Sequence, residues 1–165
     1  LPPHLETAFS SLAADLMTSI EASFERAGQF SKIRLHGDCH MGNVLWREEV
    51  PHFVDFDDAI SGPAIQDLWM LLSGDMPTQQ RQLMEIIEGY ETFQEFDQRE
   101  LNLIEPLRAM RVLHFNAWLA RRWNDPAFPL AFPWFNTTRY WEDHVLSLKE
   151  QLGEIHEAPL RWQAK

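Results

Sequence analysis

The chain has 165 residues, with 25 Asp and Glu against 14 Lys and Arg and a formal net charge of −11 at pH 7. That length allows one domain with a sizeable core, and the acidic balance argues against a non-specific nucleic-acid or membrane-surface binder, which needs a basic face. Cys39 is the only cysteine and the apolar runs are short, so an internal disulfide, a Cys-rich zinc site and a bilayer-spanning helix are all excluded.

Apolar residues at Leu5, Phe9, Leu12, Leu16, Ile20 and Phe24 step by three and four along one helical face, which Gly28 ends. Ile33–Leu35 is a short β-type run leading into HGDCHMGN at 36–43. Val44–Arg47 and residues 52–56 are two further runs, and joined by Glu-Glu-Val-Pro they are predicted to form a hairpin. Ser61-Gly62-Pro63 reads as a turn, after which AIQDLWMLL opens a helix with Pro63 near its first turn. Helical patterning covers 79–96 and again 99–123, where Pro106 implies a kink or a new start. The stretch NDPAFPLAFPWFN holds three prolines among its aromatic residues and is predicted to be an aromatic-anchored loop without regular helix. A last helix covers 138–156, followed by a frayed tail. The fold class is therefore α+β, mainly α, with one small β-hairpin, and no internal repeat is visible.

The chemistry concentrates on that hairpin and the loop before it. His-x-Asp-x-x-x-x-Asn, followed by an Asp at a strand end, suits phosphoryl transfer, which needs a positioned base and metal ions that neutralise phosphate charge. Asp38 can accept the hydroxyl proton. Asn43 can offer a neutral oxygen to Mg²⁺, and Asp55, placed on the hairpin's returning strand, can offer a carboxylate. Three rival readings stand beside this one. His36, Asp38 and His40 alternate as transition-metal ligands on a strand would, although Gly37 and Gly42 favour a loop and no further histidine has local ligand spacing. Cys39 and His40 could form a nucleophile pair, but adjacent residues usually face apart. The bland reading is a polar loop with satisfied hydrogen bonds and no chemistry.

HGDCHMGNVLW and FVDFDDAISGPAIQDLW resemble the catalytic core of the aminoglycoside phosphotransferase and choline kinase family, which is similar in fold to eukaryotic protein kinases. The likeness continues through GPAIQDLWMLLSGD, IEPLRAMR and AWLARRWNDPAFP, where it is to a bacterial Ser/Thr protein kinase of that family acting in stress response. It covers essentially the whole chain. The resemblance implies that residues 1–165 form a kinase-like C-terminal lobe whose β-hairpin carries the catalytic and metal residues. Asp38 corresponds to the catalytic base. Asn43 and Asp55 correspond to the magnesium ligands, Asp55 being catalytic as well. His36 takes the place of the loop's structural histidine. His40 stands where protein kinases have a lysine near the transferred phosphate, and Asp57 replaces the glycine of their Asp-Phe-Gly triplet. Both are candidates for phosphate or substrate contact.

Asp67 lies in a predicted first helical turn, where the helix dipole alone favours an acid. In kinase-like folds an Asp near this point ties down the catalytic loop, and structural support is the expected role. His114, His144 and His156 read as ordinary helix histidines, and the arginines at 108, 111, 121 and 122 as members of solvated ion pairs. The tryptophans read as core, with Trp134 a weaker candidate for substrate contact.

A kinase also needs a cradle for ATP. The glycines, at 28, 37, 42, 62, 74, 89 and 153, form no GxGxxG, and none of the lysines at 32, 149 and 165 sits in a VAIK-like strand. The chain opens LPPH, not with Met. The N-terminal nucleotide-binding lobe is therefore expected to be absent, and the isolated chain inactive. The whole protein is expected to be a monomeric, cytoplasmic enzyme using Mg²⁺ and ATP, with protein hydroxyls as acceptors and its own N-terminal lobe as partner. No nucleic acid and no membrane are expected as partners. A small-molecule alcohol or amino-alcohol kinase and a non-catalytic binding lobe are the alternatives.

Overall fold

A computed structural model describes residues 1–162. Four short strands and six helices carry the chain among the described residues. They belong to two compact units, one of Leu1–Arg26 with Glu105–Glu157, the other of Ala27–Ile104 with the segment from Ala158. Among the described residues no helix is long and apolar enough to cross a membrane.

The first unit is helical. Helix α1 spans Glu6–Ala27, α4 Ile104–Arg122, α5 Ala127–Ala131 and α6 Thr138–His156. The apolar face expected for α1 buries Leu12, Leu16 and Ile20 against Ala109 of α4 and Val145, Leu148 and Ile155 of α6. Leu16 and Leu148 are fully buried, and each such side chain contributes about 1.5–3 kcal/mol through removal from water. A second, aromatic cluster centres on Leu119, Phe135 and Trp141. Phe9 meets Trp141 edge to face with ring centroids 5.6 Å apart, an arrangement that suits the ring quadrupoles.

The proline-rich stretch differs from expectation. Residues 127–131 are helical, because Pro126 is the N-cap and Pro129 falls in the first turn, where backbone N–H groups have no intrahelical partner and a proline loses nothing. Pro106 likewise sits in the first turn of α4, after a 3₁₀ segment at Gln98–Leu103, so the helix starts anew there instead of kinking.

The second unit holds β1 (Ile33–Leu35), β2 (Val44–Arg47), β3 (Val50–Phe53), β4 (Ile60–Gly62), α2 (Ile65–Leu68) and α3 (Met76–Tyr90). Its core includes the fully buried Ile65, Leu83, Ile87 and Leu103. The β2–β3 hairpin pairs Val44 with Phe53 and Arg47 with Val50. Its turn is only Glu48-Glu49, both at positive φ, so the returning strand begins at Val50 and ends at Phe53, three residues short of the expected end. Ser61 and Gly62, expected in a turn with Pro63, instead belong to the strand Ile60–Gly62, antiparallel to β1, with Leu35 opposite Ile60 and Ile33 opposite Gly62. Helix α3 starts three residues before the expected 79, because the Asp75 side chain accepts the Thr78 N–H and caps it, and it ends at Tyr90, not 96. The tail is anchored as far as Trp162, which is buried. Gln80 brackets the Arg161 backbone, donating to its carbonyl and accepting from its N–H. Residues 163–165 of the expected frayed tail lie outside the described residues.

Candidate active site

The loop at 36–43 runs from the end of β1 to the start of β2, and side chains hold its backbone in place. The Asp67 carboxylate, in the single turn of α2, accepts the N–H groups of His36 (2.7 Å) and Gly37 (2.9 Å). Gln66 Nε2, one residue earlier, donates to the Gly37 carbonyl at 3.3 Å. The His36 ring donates from Nε2 to the Val54 carbonyl at 2.8 Å, while its Nδ1 accepts the Asp38 N–H at 3.3 Å. With both nitrogens engaged and the residue only 7% exposed, His36 has no lone pair left for a metal. The Phe56 ring covers it at 4.6 Å.

Glycine is required at Gly37 and favoured at Gly42. Gly37 has φ +87, and a Cβ there would lie 2.1 Å from the Asp58 carbonyl oxygen. A Cβ on Gly42 would meet the His40 ring at 2.7 Å. That ring caps the 3₁₀ turn Met41–Asn43 by accepting the Gly42 N–H on Nδ1 at 2.9 Å. Its Nε2, which carries the ring hydrogen when Nδ1 accepts, lies 3.5 Å from Asp38 Oδ2.

Asn43 joins the parts. It is only 9% exposed. Its Nδ2 donates to the Asp38 carbonyl at 3.0 Å, and its own carbonyl accepts the Val54 N–H at 3.0 Å. The side-chain oxygen is left as an acceptor without a hydrogen bond among the described residues. Asp55 follows Val54 directly, past the end of β3, with φ +67. It is therefore not on the returning strand. A non-glycine residue in the left-handed region costs about 1–2 kcal/mol, tolerated best by Asp and Asn and typical of functional positions. Asp55 and Asp57 are both exposed, and Asp57 lies in the turn closed by the Ala59 N–H and the Phe56 carbonyl.

Asn43 and Asp55 offer two hard oxygen donors and leave further positions to water and phosphate, a donor set that suits Mg²⁺. Among the described residues no group of three or more His, Cys, Asp and Glu is arranged to hold a metal. Cys39 is buried. Burial, then the Asp67 and Asp38 carboxylates, pushes its thiol up to about 11, so no thiolate is available near neutral pH.

The sequence reading missed Gln66, Val54 and Phe56, which hold the loop through a side-chain amide, a backbone and a ring. Outside the site, His114 is exposed, His156 lies 3.3 Å from the Ser19 hydroxyl, and His144 is buried with its ring stacked on Tyr140. Trp134 packs against Tyr140 at 4.8 Å. The hairpin itself exposes Leu45, Trp46, Val50 and Phe53.

A sequence model described as "Phosphotransferase enzyme family" matches residues 3–104, a span that contains every residue of this site. Stress response kinase A of Escherichia coli O157:H7 is 51% identical over 161 residues, covering 98% of this chain and 48% of that protein. The K12 strain's protein of the same name is 50% identical with the same coverage. Serine/threonine protein kinase RdoA of Salmonella typhimurium is also 50% identical over 161 residues. The chain spans about half the length of the curated relatives it matches.

Proposed function

The chain belongs to the phosphotransferase enzyme family, and on that premise we propose that it is the C-terminal, catalytic half of a kinase. The whole protein moves the γ-phosphoryl group of ATP to Ser/Thr hydroxyls of proteins in a bacterial stress response, in the cytoplasm. One observation carries the reading. Asn43 bonds the Asp38 carbonyl through its side chain and the Val54 N–H through its backbone, so the base candidate and both metal-ligand candidates share one rigid piece of backbone.

Asp38 takes the role of base. As the acceptor hydroxyl attacks the γ-phosphorus, its O–H proton passes to the Asp38 carboxylate, the new P–O bond forms and the bond to ADP breaks. Asn43 Oδ1 and the Asp55 carboxylate are the groups that would hold Mg²⁺, which supplies charge neutralisation on the phosphates when bound. His36 and Asp67 hold the loop. His40, 3.5 Å from Asp38, and Asp57 are placed in our reading as contacts to phosphate or acceptor.

The nucleotide cradle comes from the N-terminal part of the protein. The exposed apolar side chains of the hairpin are a surface of the kind such a neighbour covers. By itself the chain has no Gly-rich phosphate loop, and without γ-phosphate positioning it is expected to be inactive. The test incubates the full-length protein with γ-labelled ATP and Mg²⁺, in parallel with cell extract, with small alcohols and amino-alcohols, and alone. Label on protein Ser/Thr supports the reading. Label on a small alcohol alone transfers the activity to a small-molecule kinase, and no transfer to any acceptor rejects catalysis.

A further inference from the structure

Glu100 belongs to none of the motifs that point to the site, yet it is a carboxylate only 3% exposed. It lies in the 3₁₀ segment Gln98–Leu103, and its Oε2 accepts the N–H of Ile65, the first residue of α2, at 3.0 Å. Helix α2 is a single turn of four residues, and its N-cap, Ala64, provides no side-chain hydrogen bond. The first N–H groups of a helix have no partner within it. Glu100 supplies one from 35 residues away.

Burying an anion is costly, and burial does raise the Glu100 carboxyl above its ordinary range, opposed by the backbone N–H groups of Ile65 and Ala64. Its sequence neighbour Arg99 is committed to Asp97 at 2.6 Å. A buried carboxylate turned onto the backbone of one short helical turn is explained by what that turn carries. One and two residues beyond Ile65, Gln66 and Asp67 hold the Gly37 carbonyl and the N–H groups of His36 and Gly37.

We propose that Glu100 is a positioning residue for phosphoryl transfer, fixing α2 at its start so that Gln66 and Asp67 hold the Asp38 loop in place. The kinetic part of this rests on the function proposed above, and the structural part does not.

The test therefore has two independent readouts. Hydrogen exchange at the His36 and Gly37 amides is measured on the full-length protein, and kcat and KM for ATP are measured on the same preparations. Glu100→Gln keeps an acceptor oxygen at the same reach, whereas Glu100→Leu removes it and Glu100→Asp withdraws it by one methylene. Leu83→Ala, in the same unit's core, controls for general destabilisation. Glu100→Leu is expected to speed exchange at both amides about tenfold or more, as loss of a hydrogen bond to a charged group implies. It should lower kcat similarly with little change in KM, and Glu100→Asp should give a smaller effect of the same kind. Glu100→Gln, which keeps one acceptor oxygen but not the charge, should lie closer to wild type than Glu100→Asp in both readouts, and Leu83→Ala should lower global stability without the selective change at His36 and Gly37. If Glu100→Leu cannot be folded, the contrast between Glu100→Asp and Glu100→Gln decides. Unchanged loop exchange in a folded Glu100→Leu or Glu100→Asp protein, or loss in Glu100→Gln equal to that in Glu100→Asp, overturns the proposal. Selective exchange changes in a protein whose wild type transfers no phosphate would sustain the positioning of the loop and reject the kinase reading instead.

Discussion

The two oxygens of Asp67 receive the consecutive N–H groups of His36 and Gly37, at 2.7 and 2.9 Å. A carboxylate is the side chain that can accept both at once, because an amide offers one acceptor and turns a donor toward the other N–H. Asp67→Asn should therefore lose one bond and Asp67→Ala both. The expected cost in urea unfolding is about 1–3 kcal/mol for Asp67→Ala, the range for leaving such groups unpaired, with Asp67→Asn between it and wild type. Equal stability of all three would mean that the fork does not hold the loop.

Asp55 and its backbone can be tested apart. Asp55→Asn keeps a residue type that tolerates φ +67 while removing the charge, so its melting temperature should stay near that of wild type and turnover should require more Mg²⁺. Asp55→Ala should show the same magnesium defect plus about 1 kcal/mol or more of lost stability from the backbone. Normal Mg²⁺ dependence in Asp55→Asn would remove it from the ligand set.

The site was legible where its residues are close in sequence and the backbone was not. HGDCHMGN and VDFDD stand out because the candidate base and candidate metal-ligand oxygens fall at short spacing. The β1–β4 ladder was hidden, since Ile60–Gly62 pairs with residues 25 to 29 positions earlier and Gly62-Pro63 carries a stronger local turn signal than any non-local pairing can. The tight hairpin turn was hidden too, because Glu48 and Glu49 take positive φ without the Asn-Gly signature that usually announces it. Residues 127–131 carry a loop signal because proline breaks a helix everywhere but its first turn, and nothing local in the sequence marks where that turn begins. Glu100 leaves no trace in the sequence: a lone acid has no spacing to betray that it bonds Ile65.

Cys39 is expected to be chemically silent. Its thiol, pushed up to about 11 from 9.0, stays protonated at neutral pH, so alkylation by iodoacetamide in the native protein should be far slower than in urea. Cys39→Ser in the full-length protein should keep its activity. Because the unfolded thiol loses its proton first, the associated stability is intact below about 9 and is lost as pH rises toward 11. Fast alkylation of the native protein would contradict this placement.

His144 gives the helical unit an acid sensitivity of opposite sense. Desolvation holds its pKa below the ordinary 6.5, so the unfolded chain takes up the proton first. The stability of the neutral ring is intact above about 6.5 and is lost as pH falls toward the folded-state value. Thermal melts between about pH 7.5 and 5 should show a decline that His144→Phe reduces, since Phe keeps the stacking on Tyr140 without a proton to bind. An identical decline in both proteins would assign the acid sensitivity to other groups.

The central claim is that Asp38 takes the acceptor's proton while Asn43 and Asp55 hold the metal. Asp38→Asn keeps the shape of the side chain and the backbone bond from Asn43 to the Asp38 carbonyl but cannot accept the proton. The measurement is single-turnover transfer from γ-labelled ATP by the full-length Asp38→Asn protein and wild type, with the ATP dissociation constant measured on both. A fall of about 10²–10⁴-fold in transfer, at nearly unchanged ATP affinity, is the result expected for loss of a positioned base. Transfer within a few-fold of wild type would contradict it.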